Sequence, residues 1–262
     1  MDLQINGARI HYERAGSGFP VIFLHAGVAD SRMWAPQEPE FAEHFDVIRP
    51  DTRGFGDSEL PPTPWNPRED VLQLMDSLGL KPAHLIGCSM GGSVALDFAL
   101  DHPERVSKLV LVDAGVSGRQ SDPKYDHLFD EVTAADKSGD FKALNEAEMD
   151  LWLDGPYRPH GYVAQPLRDL FLDMNGKNMG ADWEKAPPQD LEPPAAERLG
   201  EITAPTLVIV GDKDLAPVLE TADLLVSSIK GARRAMIHDA AHLPNLEHPE
   251  EFNRVVLDFL LS

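Results

Sequence analysis

Cysteine is almost absent from this chain. A single thiol in 262 residues cannot close an internal disulfide, so the fold must rest on its core alone. That usage fits a reducing compartment. Long apolar runs are missing too, since none approaches the ~20 residues that a membrane-spanning helix needs. The first residues, "MDLQINGARIHYERAG", show no basic patch followed by an apolar stretch, so no signal peptide is expected and the cytoplasm is the expected location. Basic residues are scarce, 23 against 44 acidic, which leaves a formal net charge of −21. Such a field repels nucleic acid and anionic membrane surfaces, so neither is an expected partner; it favours solubility without specifying a fold. The histidines are scattered and no cysteine or carboxylate cluster has ligand spacing, so no metal and no other cofactor is expected. No internal repeat or low-complexity segment occurs, and composition leaves homo-oligomerisation open. What remains is ordinary for a globular protein, with 42% hydrophobic and 26% charged residues.

Apolar runs bounded by Gly, Pro and Asp recur along the chain, with amphipathic stretches between them. "VIFLHAG" (21–27), "HFDVIRPD" (44–51), "AHLIGCS" (83–89), "SKLVLVDAG" (107–115), "PTLVIVGD" (205–212) and "ARRAMIHDA" (232–240) read as strands. Their hydrophobicity is continuous, as expected of strands covered on both faces. "DLQING" and "ARIHYERAG" read as a hairpin added to one edge. "PREDVLQLMDSLG" and "GGSVALDFALDHPERV" read as helices, the second closed at His102-Pro103. This alternation predicts an α/β fold with a mostly parallel sheet flanked by helices. From about Ser117 to Gly200 the alternation stops and no strand is predicted. Leu128/Val132/Ala135 and Leu167/Leu170/Phe171/Met174 keep helical spacing there, and Trp152, Tyr157, Tyr162 and Trp183 add aromatic surface. The expected organisation is a core of residues 1–116 and 201–262, with a helical insert, 117–200, following the sixth strand.

The chemistry concentrates in "LIGCSMGGS" (85–93), which sets two nucleophiles side by side. Gly87-Cys88-Ser89-Met90-Gly91 is a G-x-S-x-G pattern between a predicted strand and a predicted helix, the setting of a nucleophile elbow. The turn is tight, so the glycines leave room where side chains would collide. The central residue, Ser89, is thrust out at the end of the sheet. Cys88 should point back among buried atoms as a small hydrophobe, and Ser93 lies a turn too far along the helix. An acid and then a histidine are expected further on. Asp212 and Asp214 both follow the strand "TLVIV", and Asp113 follows "LVLV"; the residues alone leave these three open. His242, on the loop before the last helix, is the candidate base. His238 is expected to pack near the last strand, and His25 to shape a loop through a backbone hydrogen bond. Two backbone N–H donors should face the oxyanion of an acyl-transfer intermediate. One is Met90, after the nucleophile; the other comes from "HAGVADSRMW", where Gly27 is the first candidate and Val28 the alternative.

Together "LHAG…MW", "DTRGFGDS", "GCSMGG", "ALDFALDHPERVSKLVLVD", "GDKD" and "AAHLPNLEHPEEF" resemble the α/β-hydrolase superfamily over the whole chain except the insert. The resemblance implies Ser89 as nucleophile, Asp214 as acid, His242 as base and residues 117–200 as a helical cap. It implies a structural role for "DTRGFGDS". Within the superfamily the motifs are most similar to carboxylesterases and 3-oxoadipate enol-lactonases. Haloalkane dehalogenases and epoxide hydrolases place Asp at the elbow, against Ser89 here. Relatives that cleave carbon–carbon bonds commonly carry Trp after the catalytic His, where this chain has Leu243. The family's usual His-Gly after the first central strand is His25-Ala26 here. The expected activity is hydrolysis of a small carboxylic ester or lactone through a Ser-His-Asp triad and an acyl-enzyme, with no cofactor. The alternatives are carbon–carbon bond hydrolysis or cofactor-free perhydrolysis on the same triad, and a slow-turnover ligand receptor.

Overall fold

The computed structural model describes residues 1–182 and 184–262; Trp183, one of the insert's predicted aromatics, lies outside them. Eight strands form one sheet: β1 (Asp2–Ile5), β2 (Ala8–Gly16), β3 (Phe19–Leu24), β4 (Phe45–Pro50), β5 (Ala83–Cys88), β6 (Val106–Val112), β7 (Thr206–Gly211) and β8 (Arg233–Ile237). Their order is β1-β2-β4-β3-β5-β6-β7-β8, antiparallel for β1/β2 and β2/β4 and parallel from there on. The edge hairpin turns at Asn6-Gly7, both at positive φ, the dipeptide that a two-residue loop demands.

β4, β5 and β7 are buried at every residue, as continuous hydrophobicity predicts. β8 departs from that expectation: Arg233, Arg234 and Met236 are exposed. It is an edge strand with β7 as its one neighbour, and charged side chains suit an edge that must not recruit another chain. The first central strand also ends earlier than predicted, at Leu24, because residues 25–30 leave the sheet as a loop.

The helices are α1 (Glu38–Phe41), α2 (Pro67–Ser77), α3 (Met90–Asp101), α4 (Asp130–Ser138), α5 (Phe141–Met149), α6 (Gln165–Asn178), α7 (Ala216–Ser228), α8 (Pro244–Glu247) and α9 (Pro249–Leu260). Asn66 caps α2 by accepting from the Arg68 and Glu69 amides, with Pro67 at the first turn. α3 ends at His102, before Pro103, as predicted. Apolar clusters fill both faces of the sheet; α2, α3 and α7 cover one, and α1 and α9 contribute to the other.

Residues 117–200 carry α4, α5, α6 and short turns, with no strand among the described residues. Met149, Leu153, Val163, Phe171 and Met174 join the same cluster as Phe23 and Trp34, so this segment shares its core with the sheet. Leu128, Val132 and Ala135 keep helical spacing but are only half-buried, and α4 buries no residue. Among the described residues, no helix is long and apolar enough to cross a membrane.

Candidate active site

Between β5 and α3 the chain reverses at Ser89, which sits at φ 52° and ψ −112°, conformational space that a non-glycine residue rarely enters. The surroundings over-determine that strain. The Ser89 amide donates to the Val112 carbonyl at 2.9 Å, and the Ser89 carbonyl accepts from Gly115 at 3.1 Å and Ser93 at 3.0 Å. A Cβ on Gly87 would collide with the Gly91 backbone, and one on Gly91 with the carbonyls of Leu24 and His25. The two glycines of the pattern are therefore required by close backbone approach. Ser89 is half-buried and lines a cavity of about 280 Å³ with His242, Trp152, Phe129 and Arg119.

Cys88 is fully buried, its Sγ 3.7 Å from the His242 carbonyl oxygen. Burial, reinforced by Asp113 and Asp214, pushes its thiol pKa well up, so it stays protonated and does not offer a thiolate.

His242 is 3% exposed, and its Nδ1 lies 2.7 Å from Asp214 Oδ2. Asp214 is completely buried, and its Oδ1 accepts the Leu215 amide at 2.7 Å. The carboxylate thus holds Nδ1 as the donor nitrogen and leaves Nε2 to work. The indole of Trp152 packs on the imidazole with ring centres 4.4 Å apart, and the His242 amide donates to the Trp152 carbonyl at 3.2 Å. The other two aspartates separate clearly. Asp212 accepts the Asp239 amide at 2.7 Å and pairs with His238 at 3.2 Å, away from His242. His238 does not pack as its sequence position predicts; its side chain is 74% exposed, because β8 stops at Ile237. Asp113, buried at φ 44°, lies beside the pair, and its Oδ1 accepts the Gly211 amide at 3.1 Å.

The loop after β3 is shaped by His25. Its Nε2 accepts the Thr52 amide at 2.9 Å, so Nδ1 carries the proton and donates to the Ala26 carbonyl at 2.8 Å. Burial holds its pKa below the usual histidine range and keeps the ring neutral. Within "DTRGFGDS", Asp51 accepts the amides of Ser31 and Asp57, each at 2.8 Å, which ties that turn to the same loop. Gly27 faces Met90, whose Cβ and Sδ would lie 3.7 and 3.8 Å from a Cβ there. Among the described residues the amides of Gly27, Val28 and Met90 find no acceptor in the protein, whereas Ala26 donates to Met33 Sδ.

A second, largely apolar cavity of about 520 Å³ borders Met90, Ser93, Val94 and Trp65. The sequence picks out Ser89, His242 and Met90 among these linings, but carries little sign of the rest. Trp152 is legible there as an aromatic but not as the neighbour of His242, since that contact joins residues far apart in the chain. Among the described residues, three groups of His and carboxylate atoms come within 4.8 Å of one another: His11/Asp51/Asp57, Asp113/Asp214/His242 and Asp150/Asp154/His160. The central carboxylates of the first and last are already engaged, Asp51 by two amides and Asp154 by the Gly161 and Val163 amides and Arg168.

A family described as alpha/beta hydrolase fold matches residues 20–249. The 2-hydroxy-6-oxo-6-phenylhexa-2,4-dienoate hydrolase of Burkholderia cepacia is 30% identical over 285 aligned residues, covering 98% of this chain and 93% of the relative. The crystal structure of the enol-lactonase from Burkholderia xenovorans LB400 is 29% identical with a TM-score of 0.81, covering 100% of both chains. An esterase from Exiguobacterium antarcticum superposes with a TM-score of 0.83 at 25% identity, covering 100% of this chain and 99% of its own.

Proposed function

Since the chain belongs to the alpha/beta hydrolase fold family, we propose that it is a serine hydrolase that cleaves a small carboxylic ester or lactone through an acyl-enzyme. Nε2 of His242 takes the Ser89 proton as Oγ attacks the carbonyl carbon, and Asp214 stabilises the imidazolium that forms. The amides of Met90, at the start of α3, and of Gly27 hold the oxyanion. His242 then protonates the leaving alkoxide and activates the water that releases the acid. Residues 117–200 act as the cap, bringing Trp152, Phe129 and Arg119 to the cavity wall. The observation that carries this reading is that Ser89, in its strained turn, shares one cavity with a histidine whose Nδ1 is held 2.7 Å from a fully buried carboxylate.

The test is steady-state hydrolysis of p-nitrophenyl esters, acetate to octanoate, by wild type and Ser89→Ala. Sustained turnover lost in the folded variant supports the reading; a burst equal to the enzyme added, or equal rates in both proteins, sinks it. The similarity to the B. cepacia dienoate hydrolase favours a second reading, carbon–carbon bond hydrolysis on the same triad. Leu243, where such relatives commonly carry Trp, weighs against it. Turnover of 2-hydroxy-6-oxo-6-phenylhexa-2,4-dienoate well above that of simple esters would reverse the order.

A further inference from the structure

Asp113 is the sequence's rival for the acid of the triad, and the proposed function leaves it without a role. Its position is unusual. It is 2% exposed and held at φ 44°, at the point where β6 leaves the sheet. Its amide donates to the Ile209 carbonyl at 2.9 Å and its Oδ1 accepts the Gly211 amide at 3.1 Å. Its Oδ2 is buried and has no donor among the described residues. Atoms of Asp113, Asp214 and His242 lie within 4.8 Å of one another.

Two carboxyls buried side by side cannot both ionise at ordinary pH, so one must keep a proton. Asp214 has the donors that an anion needs, the Leu215 amide and His242 Nδ1, each at 2.7 Å. Asp113 has one amide on one oxygen and nothing on the other. We infer that Asp113 is a neutral positioning residue whose Oδ2–H donates to the Asp214 carboxylate, giving that anion a third donor and fixing it against His242. The oxygen without a donor then needs none, because it is itself the donor. The groups that face Asp113 agree. Cys88 on β5 is a neutral thiol, and Glu247 on α8 is neutralised by Arg158 at 2.7 Å. Arg119 shares the cavity wall that Asp113 reaches, but its guanidinium is engaged by the Pro217 carbonyl, Thr221 and Glu220. Burial first, and then Asp214, raises the Asp113 pKa well above the carboxylate range.

The kinetic part of this inference rests on the triad proposed above; the proton on Asp113 does not, and the two are tested separately. Asparagine tolerates positive φ and its Nδ2–H can replace the O–H donor, while glycine fits the backbone and supplies no donor. Asp113→Asn should keep kcat/KM within about threefold and leave the acidic limb of its pH profile in place, whereas Asp113→Gly should lower kcat roughly tenfold or more. An acidic limb displaced downward in Asp113→Asn would show that an ionised Asp113 had been supporting His242, and would overturn the inference. So would an Asp113→Gly enzyme as active as wild type. A measurement that needs no turnover is the infrared difference spectrum of wild type minus Asp113→Asn at neutral pH. The C=O stretch of a protonated carboxylic acid is expected there, and a carboxylate signature in its place refutes the assignment.

Discussion

At the scale of single residues, the pairing of Cys88 with Ser89 is decided by backbone geometry and not by intrinsic nucleophilicity. The thiol is the stronger nucleophile, but it is buried and protonated, while the hydroxyl is delivered to a cavity. Cys88→Ala should therefore keep ester turnover within about threefold of wild type, and thiol-specific reagents should leave the folded enzyme active. Inactivation by such a reagent, with Ser89→Ala still active, would reverse the assignment. The aspartates give a sharper contrast. Asp214→Asn loses the carboxylate that fixes the donor nitrogen of His242 and should lower kcat about a thousandfold or more. Asp212→Asn touches the Asp239 amide, the exposed His238 and Lys213, none of them in the Asp214–His242 pair, and should stay within about threefold. A parallel assay of the two variants checks both expectations. Ser89 and His242 stand out in the sequence as candidates by local pattern, a strand-turn-helix and a loop before the last helix, whereas Asp214 is one of three strand-end aspartates and is singled out there only by the family resemblance. The relation of Asp113 to Asp214 is not legible, because no local pattern shows which buried carboxyl keeps its proton.

At the scale of elements, the elbow is a contact between backbones. Gly87→Ala or Gly91→Ala would force a methyl group into carbonyls of Gly91, Leu24 or His25, none of which is a flexible side-chain end. Each should cost about 3 kcal/mol or more of unfolding free energy, measured by urea titration, and should abolish activity before global unfolding. Gly200→Ala, with no atom of the described residues within 4 Å of where its Cβ would stand and no positive φ, is the control and should be neutral. This part of the fold can be read from spacing alone, since strand, tight turn and helix leave a three-dimensional requirement in five consecutive residues. The loop after β3 cannot be read to the same depth. His25-Ala26 tells where the chain turns, yet the choice between Gly27 and Val28 depends on the direction of two amides. β8 misleads for a related reason: its sequence reads as a covered strand, and only the sheet order makes it an edge. Part of the helical content of residues 117–200 is legible by period, but the walls that segment lends to the cavity come from Arg119 and Phe129 ahead of α4 and from Trp152 in the turn that continues α5, outside the α-helices themselves.

At the scale of the whole molecule, a net charge of −21 sets self-repulsion against a core that buries neutral histidines. His84, packed against Phe19 and Phe45, is held down to a pKa of about 4 by burial and by nearby Lys108. In the unfolded chain it titrates near the ordinary value of about 6.5. Between those two values the unfolded chain binds a proton that the folded chain refuses, so stability falls as pH drops through that window and levels off below it. His25, lowered by burial, acts in the same direction. Asp113 acts in the opposite one: its raised pKa means that the folded chain keeps a proton the unfolded carboxylate has released. Stability is therefore lost as pH rises above the ordinary carboxylate range, until the higher pKa of Asp113 is passed. Melting temperatures over a pH series should separate these contributions. His84→Phe should flatten the acid side of the curve, and Asp113→Asn should raise the plateau on the neutral side. Added salt should raise the melting temperature of all three proteins at neutral pH, because surface repulsion is screened over distances at which buried groups are not. If salt removed the acid slope as well, that slope would belong to the surface charge, and His84→Phe would leave it unchanged.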